Sequence, residues 1–134
     1  MPIRFALTAL VFLLGLFDVF MAASFLFTPH AGAAILGVSA AVPAGWATIR
    51  ADFTAFFGVA ALCMMVGAWR RNGDLLLVPG LLFGVALLGR ALDLALVGAY
   101  PGWAQPMAVE ALHVIVLGAA WRILPHHRVG ELAG

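Results

Sequence analysis

Four long apolar runs divide the chain, at residues 5–27, 46–69, 75–97 and 107–124, and polar or Pro/Gly-rich segments separate them. Each run has roughly the 17–25 residues that an α-helix needs to cross a bilayer. None shows the period-2 alternation of a strand, and a helix satisfies its own backbone hydrogen bonds where there is no water. The pattern predicts an all-α integral membrane protein, a single domain over residues 1–134. Successive spans alternate in direction, which makes an antiparallel four-helix bundle. The first run follows Arg4 and contains a small-residue stretch, as a secretory signal does. It is longer than the apolar region of such a signal and carries Asp18, so it is read as a retained span.

The connections set the orientation. The first, residues 28–45, is rich in Ala, Gly and Pro, and its mildly apolar middle is expected on the membrane surface or as a short re-entrant turn. The second, Arg70-Arg71-Asn72-Gly73-Asp74, is a tight basic turn around Asn-Gly. The third, residues 98–106, is a Pro/Gly loop with Tyr100 and Trp103. With four spans, Arg4, Arg70, Arg71, Arg122 and Arg128 fall on one side, which places both termini in the cytoplasm. Trp46, Tyr100 and Trp103 then belong to the outer interface, and Trp69 and Trp121 to the inner one. The tail beyond Pro125 is expected to be polar and frayed.

Composition agrees with this architecture. Hydrophobic residues make up 65% of the chain and charged residues 10%, against about 45–50% and 25% in soluble domains. The net charge of +1 excludes a polybasic nucleic-acid binder. The single Cys63 lies inside an apolar run, cannot form an internal disulfide and is read as a small buried hydrophobe. Gly80 and Gly84 form a GxxxG, a close-packing surface within or between bundles; used between bundles, it makes a homo-oligomer.

The charged residues inside the spans carry the functional argument. An ionised side chain at the bilayer centre costs about 2.5–3.5 kcal/mol on insertion scales, so each such group is expected to face the interior and to be paired. At about 1.5 Å per residue, Arg90 and Asp93 lie near the outer end of the third span, Arg50 and Asp52 near the outer end of the second, and Glu110 and His113 in the first turns of the fourth. Asp18 is the deepest. These seven groups converge on the outer half of the bundle. Arg90 and Asp93 are i,i+3, as are Glu110 and His113, so each pair shares a helix face; Arg50 and Asp52, at i,i+2, diverge. Four carboxyls face two arginines, and the imbalance leaves a protonated acid beside an ionised one unless a cation or a protonated His113 closes it. That arrangement suits acid–base chemistry.

Glu110 and His113 also match one Glu-x-x-His element of a di-iron bundle, which requires two such elements and further carboxylates. No metal and no cofactor is therefore expected, with one metal on Glu110, His113 and an aspartate as the lesser alternative. His126 and His127, on the tail, carry no weight. No nucleotide loop, Ser-His-Asp set or CxxC pair is present.

Arg50 opening the second span, the Arg70-Arg71 turn, Gly89-Arg90, Gly98 with Pro101, and Glu110 early in the fourth span together resemble a family of small four-helix bacterial integral membrane proteins classed as a domain of unknown function. The likeness covers residues 49–121 and implies a four-helix membrane fold, a bacterial cytoplasmic membrane and no established activity. Where that family shows Gly-Gly after the second-span arginine, this chain has Thr54-Ala55. Asp18, Asp52, Asp93 and His113 stand outside the family pattern, as though acids had been added to an Arg/Glu framework.

The preferred reading is an enzyme that performs cofactor-free acid–base chemistry, namely epoxide opening, isomerisation or hydration, on a membrane lipid or an apolar, isoprenoid-like small molecule. Asp52 and Asp93 form its acid/base pair, Arg50 and Arg90 partner them, Glu110 and His113 support them, and Asp18 lines the deep end. The alternatives are a proton-coupled small-molecule transporter, which Asp18 would serve, and a structural or assembly subunit with ion pairs as glue.

Overall fold

In the computed structural model, which describes residues 2–126, every regular element is helical. In chain order they are α1 (Pro2–Phe27), α2 (Pro29–Ile35), α3 (Pro43–Arg70), α4 (Leu77–Val97, led by a 3₁₀ turn at Asp74–Leu76) and α5 (Ala104–Ile123). Four segments, Pro2–Phe27, Pro43–Arg70, Asp74–Val97 and Ala104–Ile123, are long and apolar enough to cross a membrane. Arg128, one of the five arginines assigned to the inner side, and His127 lie outside the described residues.

α1, α3 and α5 each begin three residues before their apolar runs. The runs mark where the chain is apolar enough for lipid, whereas helix starts are set by backbone chemistry. Pro43 sits in the first turn of α3, where its missing N–H breaks no helical bond. Along α1 the hydroxyls of Thr8 and Ser24 donate to the carbonyls of Arg4 and Phe20, 2.8 Å in each case, which keeps polar groups satisfied on an apolar helix.

The first connection contains a short helix, α2, folded against the end of α1. A Cβ on Gly32 would stand 3.1 Å from the Phe25 backbone nitrogen and 3.2 Å from its ring, so glycine permits this approach. The basic turn is a turn as expected. Arg71 occupies the left-handed region at φ 51°, and bonds from Asn72 N–H to the Gly67 carbonyl (2.8 Å) and from Arg71 N–H to the Ala68 carbonyl (3.2 Å) close α3. Gly73 N–H then donates to the Pro125 carbonyl at 2.9 Å, which joins the turn to the end of α5. Arg4, Arg71 and Leu124 line one surface depression at that end of the molecule.

Lipid offers no hydrophobic drive between helices, so close backbone approach and aromatic fit must hold the bundle. α1 meets α3 through small residues: Gly15 lies against Met64, Met65 and the Ala61 carbonyl, and Gly58 against Ala22. Gly80 and Gly84 of the GxxxG lie against Leu117 and Val114 of α5, within the same chain. Aromatic contacts link the remaining helices. Phe25 stacks on Phe53 at 4.7 Å between ring centres, Phe56 meets Phe57 and Phe83 edge-on at 5.1 and 5.3 Å, and Phe83 stacks on His113 at 4.0 Å. Large apolar side chains such as Leu62, Val85, Leu88 and Leu96 are exposed on the outside, where a membrane would cover them.

The packing sets a contrast between two glycines. A Cβ at Gly15 would meet Met65 Cγ at 2.8 Å and Met64 Cβ at 3.4 Å, whereas one at Gly89 meets nothing within 4 Å. Gly15→Val is expected to lower stability by about 1–3 kcal/mol and Gly89→Ala to change it by no more than about 0.5 kcal/mol, as read from unfolding in mixed micelles followed by circular dichroism.

Candidate functional site

Two polar pairs occupy the interior. The first is Asp18 of α1 with His113 of α5, both fully buried. His113 Nδ1 lies 2.8 Å from the carbonyl of Val109, one turn back on the same helix. A carbonyl only accepts, so Nδ1 carries the proton and Nε2 is turned to Asp18 Oδ1, 3.4 Å away. One further proton serves both groups, either on the imidazole beside a carboxylate or on the carboxyl beside a neutral ring. At this distance the contact is an ionic or loosely shared one. Both Asp18 oxygens and His113 Nε2 lack a well-formed hydrogen bond.

The second pair joins α4 to α5. Arg90 Nε donates to Glu110 Oε1 at 2.8 Å. The glutamate side chain is 9% exposed and the arginine 30%. The other glutamate oxygen, Oε2, is buried with no hydrogen-bond partner. Glu110 and His113 are one turn apart on one face of α5, as their spacing predicts, and the same register buries both.

Beside the second pair is a cavity of about 180 Å³. Its walls are mainly aromatic, from Phe53, Phe56 and Phe57 of α3 and Phe83 of α4, with Met21 of α1 and Leu36 after α2. Arg90, Gln105 and Glu110 supply its polar end. Phe17 and Phe83 line the cavity and also contact the His113 ring, at 6.3 and 4.0 Å between centres, and so stand between the cavity and the Asp18–His113 pair.

Of the seven residues expected to converge, the structure brings four together, Asp18, Arg90, Glu110 and His113. Arg50, Asp52 and Asp93 are exposed, and none of them takes part in an ion pair among the described residues. Arg90 pairs across to Glu110 on α5 and not with Asp93 on its own helix. A buried carboxylate gains far more from a guanidinium than an exposed one does, because water already solvates the exposed group. No three metal-ligating side chains gather among the described residues. Thr54 lines the groove between α1 and α3, and its hydroxyl is buried there without a hydrogen-bond partner.

The aromatic walls are not among the residues expected from the charge pattern. Phe53, Phe56 and Phe57 fall at i, i+3 and i+4, a spacing that places them on one helix face, and that was the available signal. Against known proteins, the chain matches no family model, no curated protein and no solved structure.

The buried Asp18–His113 pair has a thermodynamic consequence. His113→Phe alone strands a carboxyl among apolar side chains and is expected to cost about 3 kcal/mol. Adding Asp18→Leu should restore most of that loss, a coupling readable in a double-mutant cycle of detergent unfolding. Additive effects would mean that the two groups are energetically independent.

Proposed function

We propose that the chain is an integral membrane enzyme that relocates a proton within an apolar small molecule held in the cavity, with Glu110 as the acid–base group and Arg90 as the partner that stabilises developing negative charge. The observation that carries this reading is the buried, unengaged Oε2 of Glu110 at the polar end of an aromatic-walled cavity, tied through its other oxygen to Arg90. In the step, Glu110 takes a proton from a carbon next to a carbonyl and the electron pair moves onto the carbonyl oxygen near Arg90. The protonated glutamate then returns the proton to another carbon, and nothing is oxidised or reduced. Fixed donors aimed at such an oxyanion are the largest single contribution in many enzymes.

One carboxyl suffices for both halves of an isomerisation. Epoxide opening and hydration need an acid for one oxygen and a base for water at the same moment. Asp52 and Asp93 are exposed, and Asp18 stands behind Phe17 and Phe83, so Glu110 is the one carboxyl at the cavity among the described residues. The complete burial of both Asp18 and His113 favours this reading over a transporter, whose carboxylate must exchange protons with solution.

The topology belongs to the same proposal. Contacts that ascend α1 from Gly15 to Ala22 to Phe25 descend α3 from Met64 to Gly58 to Phe53, which supports an antiparallel bundle. Arg4 and Arg71 share one end with the last residues of α5. By the positive-inside rule that end, with both termini, faces the cytoplasm, here of a bacterial cell as the family resemblance implies.

The test is turnover by native protein in nanodiscs against a panel of small ketones, epoxides and alkenes, read by gas chromatography. Glu110→Gln is expected to lower isomerisation about 10²–10⁴-fold, while Asp52→Asn and Asp93→Asn each change it less than about twofold because their side chains are solvated away from the cavity. Activity that survives Glu110→Gln and is lost with Asp52→Asn would return the chemistry to the exposed aspartates.

A further inference from the structure

We infer that the substrate of this cavity is a neutral ketone, the enclosed part of which is about one ring in size and whose enol form bridges Glu110 and Arg90. The inference rests on the proton-shift reading above and extends it to the ligand.

Size gives the first constraint. A dry protein cavity of about 150 Å³ holds benzene, and this one is about 180 Å³. The part of an occupant held inside is therefore one ring or a short branched chain, and anything longer would have to extend through the open side, where the exposed Ile35 and Gln105 stand. The walls give the second constraint. Faces and edges of Phe53, Phe56, Phe57 and Phe83 suit a flat, partly unsaturated body.

The polar end gives the third. Arg90 and Glu110 balance each other, so a charged ligand would bring an uncompensated charge into an apolar site. Glu110 Oε2 is an acceptor without a donor. Arg90 spends Nε on Oε1, and its remaining N–H groups have no acceptor among the described residues. One oxygen that both donates and accepts meets both needs. An enol O–H does so, donating to Oε2 and accepting from Arg90, whereas a carbonyl meets Arg90 alone. The site thus favours the enol over the ketone, which is the bias that a proton shift through an enol requires. Atoms balance in that shift: the enol O–H bond breaks, a C–H bond forms from the same proton, and C=C becomes C=O.

Phenols are enols that stay enols, and they supply the probe. Calorimetric titration of the full chain in nanodiscs, with empty nanodiscs subtracted, would compare phenol, toluene and benzoate. Phenol is expected to bind at least ten times more tightly than toluene, and benzoate not measurably. Across p-cresol, p-chlorophenol and p-cyanophenol, affinity should rise with the acidity of the O–H. In the isosteric Glu110→Gln chain, which keeps the shape of the site, that rise should flatten. Equal binding of phenol and toluene would overturn the inference, as would an acidity trend that persists in Glu110→Gln. If phenols bind as stated and no ketone is isomerised, the ligand chemistry stands and the acid–base reading falls. If turnover needs Glu110 but phenol binds no better than toluene, the enol-bridging inference falls alone.

Discussion

The imidazole of His113 holds the bundle's circuit together. It is fully buried, it spends Nδ1 on its own helix at Val109, and it turns Nε2 to Asp18 of α1. Its ring face lies on Phe83 of α4. From Phe83 the contacts pass edge-on to Phe56 and Phe57 of α3, and from there by stacking to Phe25 of α1. Each of the four long helices thus touches the next and the last touches the first. In a membrane the alternative to a polar contact is an unsolvated group in hydrocarbon, which is why so few polar contacts can fix how helices assemble.

The candidate site follows from that register. Once His113 is turned inward, Glu110, one turn earlier on the same face, is carried into the interior with it. A carboxylate there requires a cation, and α4, already held by Phe83, presents Arg90 to it seven residues further along. The arginine reaches only one oxygen, so the second is left over at the cavity. Phe83 has two roles in consequence. It fixes the His113 ring and it walls the cavity, so packing that stabilises the bundle also shapes the space beside Glu110.

The four membrane-length helices were legible because length and apolar composition fix them with little tertiary information. The i,i+3 spacing likewise revealed that Glu110 and His113 share a face. The short helix α2 was not legible: seven residues are too few to hold a helix alone, and its fold depends on how Gly32 fits Phe25 across the chain. The partner of Arg90 was not legible either. Periodicity gives the face from which a side chain leaves its helix, and a long arginine can reach a neighbouring helix as easily as its own next turn. Asp93 satisfies the sequence rule for a pair, and yet Glu110, being buried, has more to gain from the contact.

Arg50, Asp52 and Asp93 leave their helices on exposed faces, and for Arg50 and Asp93 length and position make that exposure inexpensive. α3 has 28 residues, about 42 Å at 1.5 Å per residue, against a hydrocarbon core of about 30 Å. The excess must stand in the headgroup layers. Arg50 is seven residues into α3, about 10 Å from its start, within reach of the interface by extending its side chain towards water. Asp93 is four residues from the end of α4, about 6 Å. Neither position demands an interior partner. The rule that an ionisable residue in a span marks a buried site holds for residues deep in the core, as Asp18 and His113 are. Near the end of a helix longer than the membrane is thick, it counts residues that the headgroup layer already solvates. Depth alone does not separate the two sets, since Glu110 is six residues into α5 and Arg90 seven from the end of α4; what carries Glu110 inward is the helix face it shares with the buried His113.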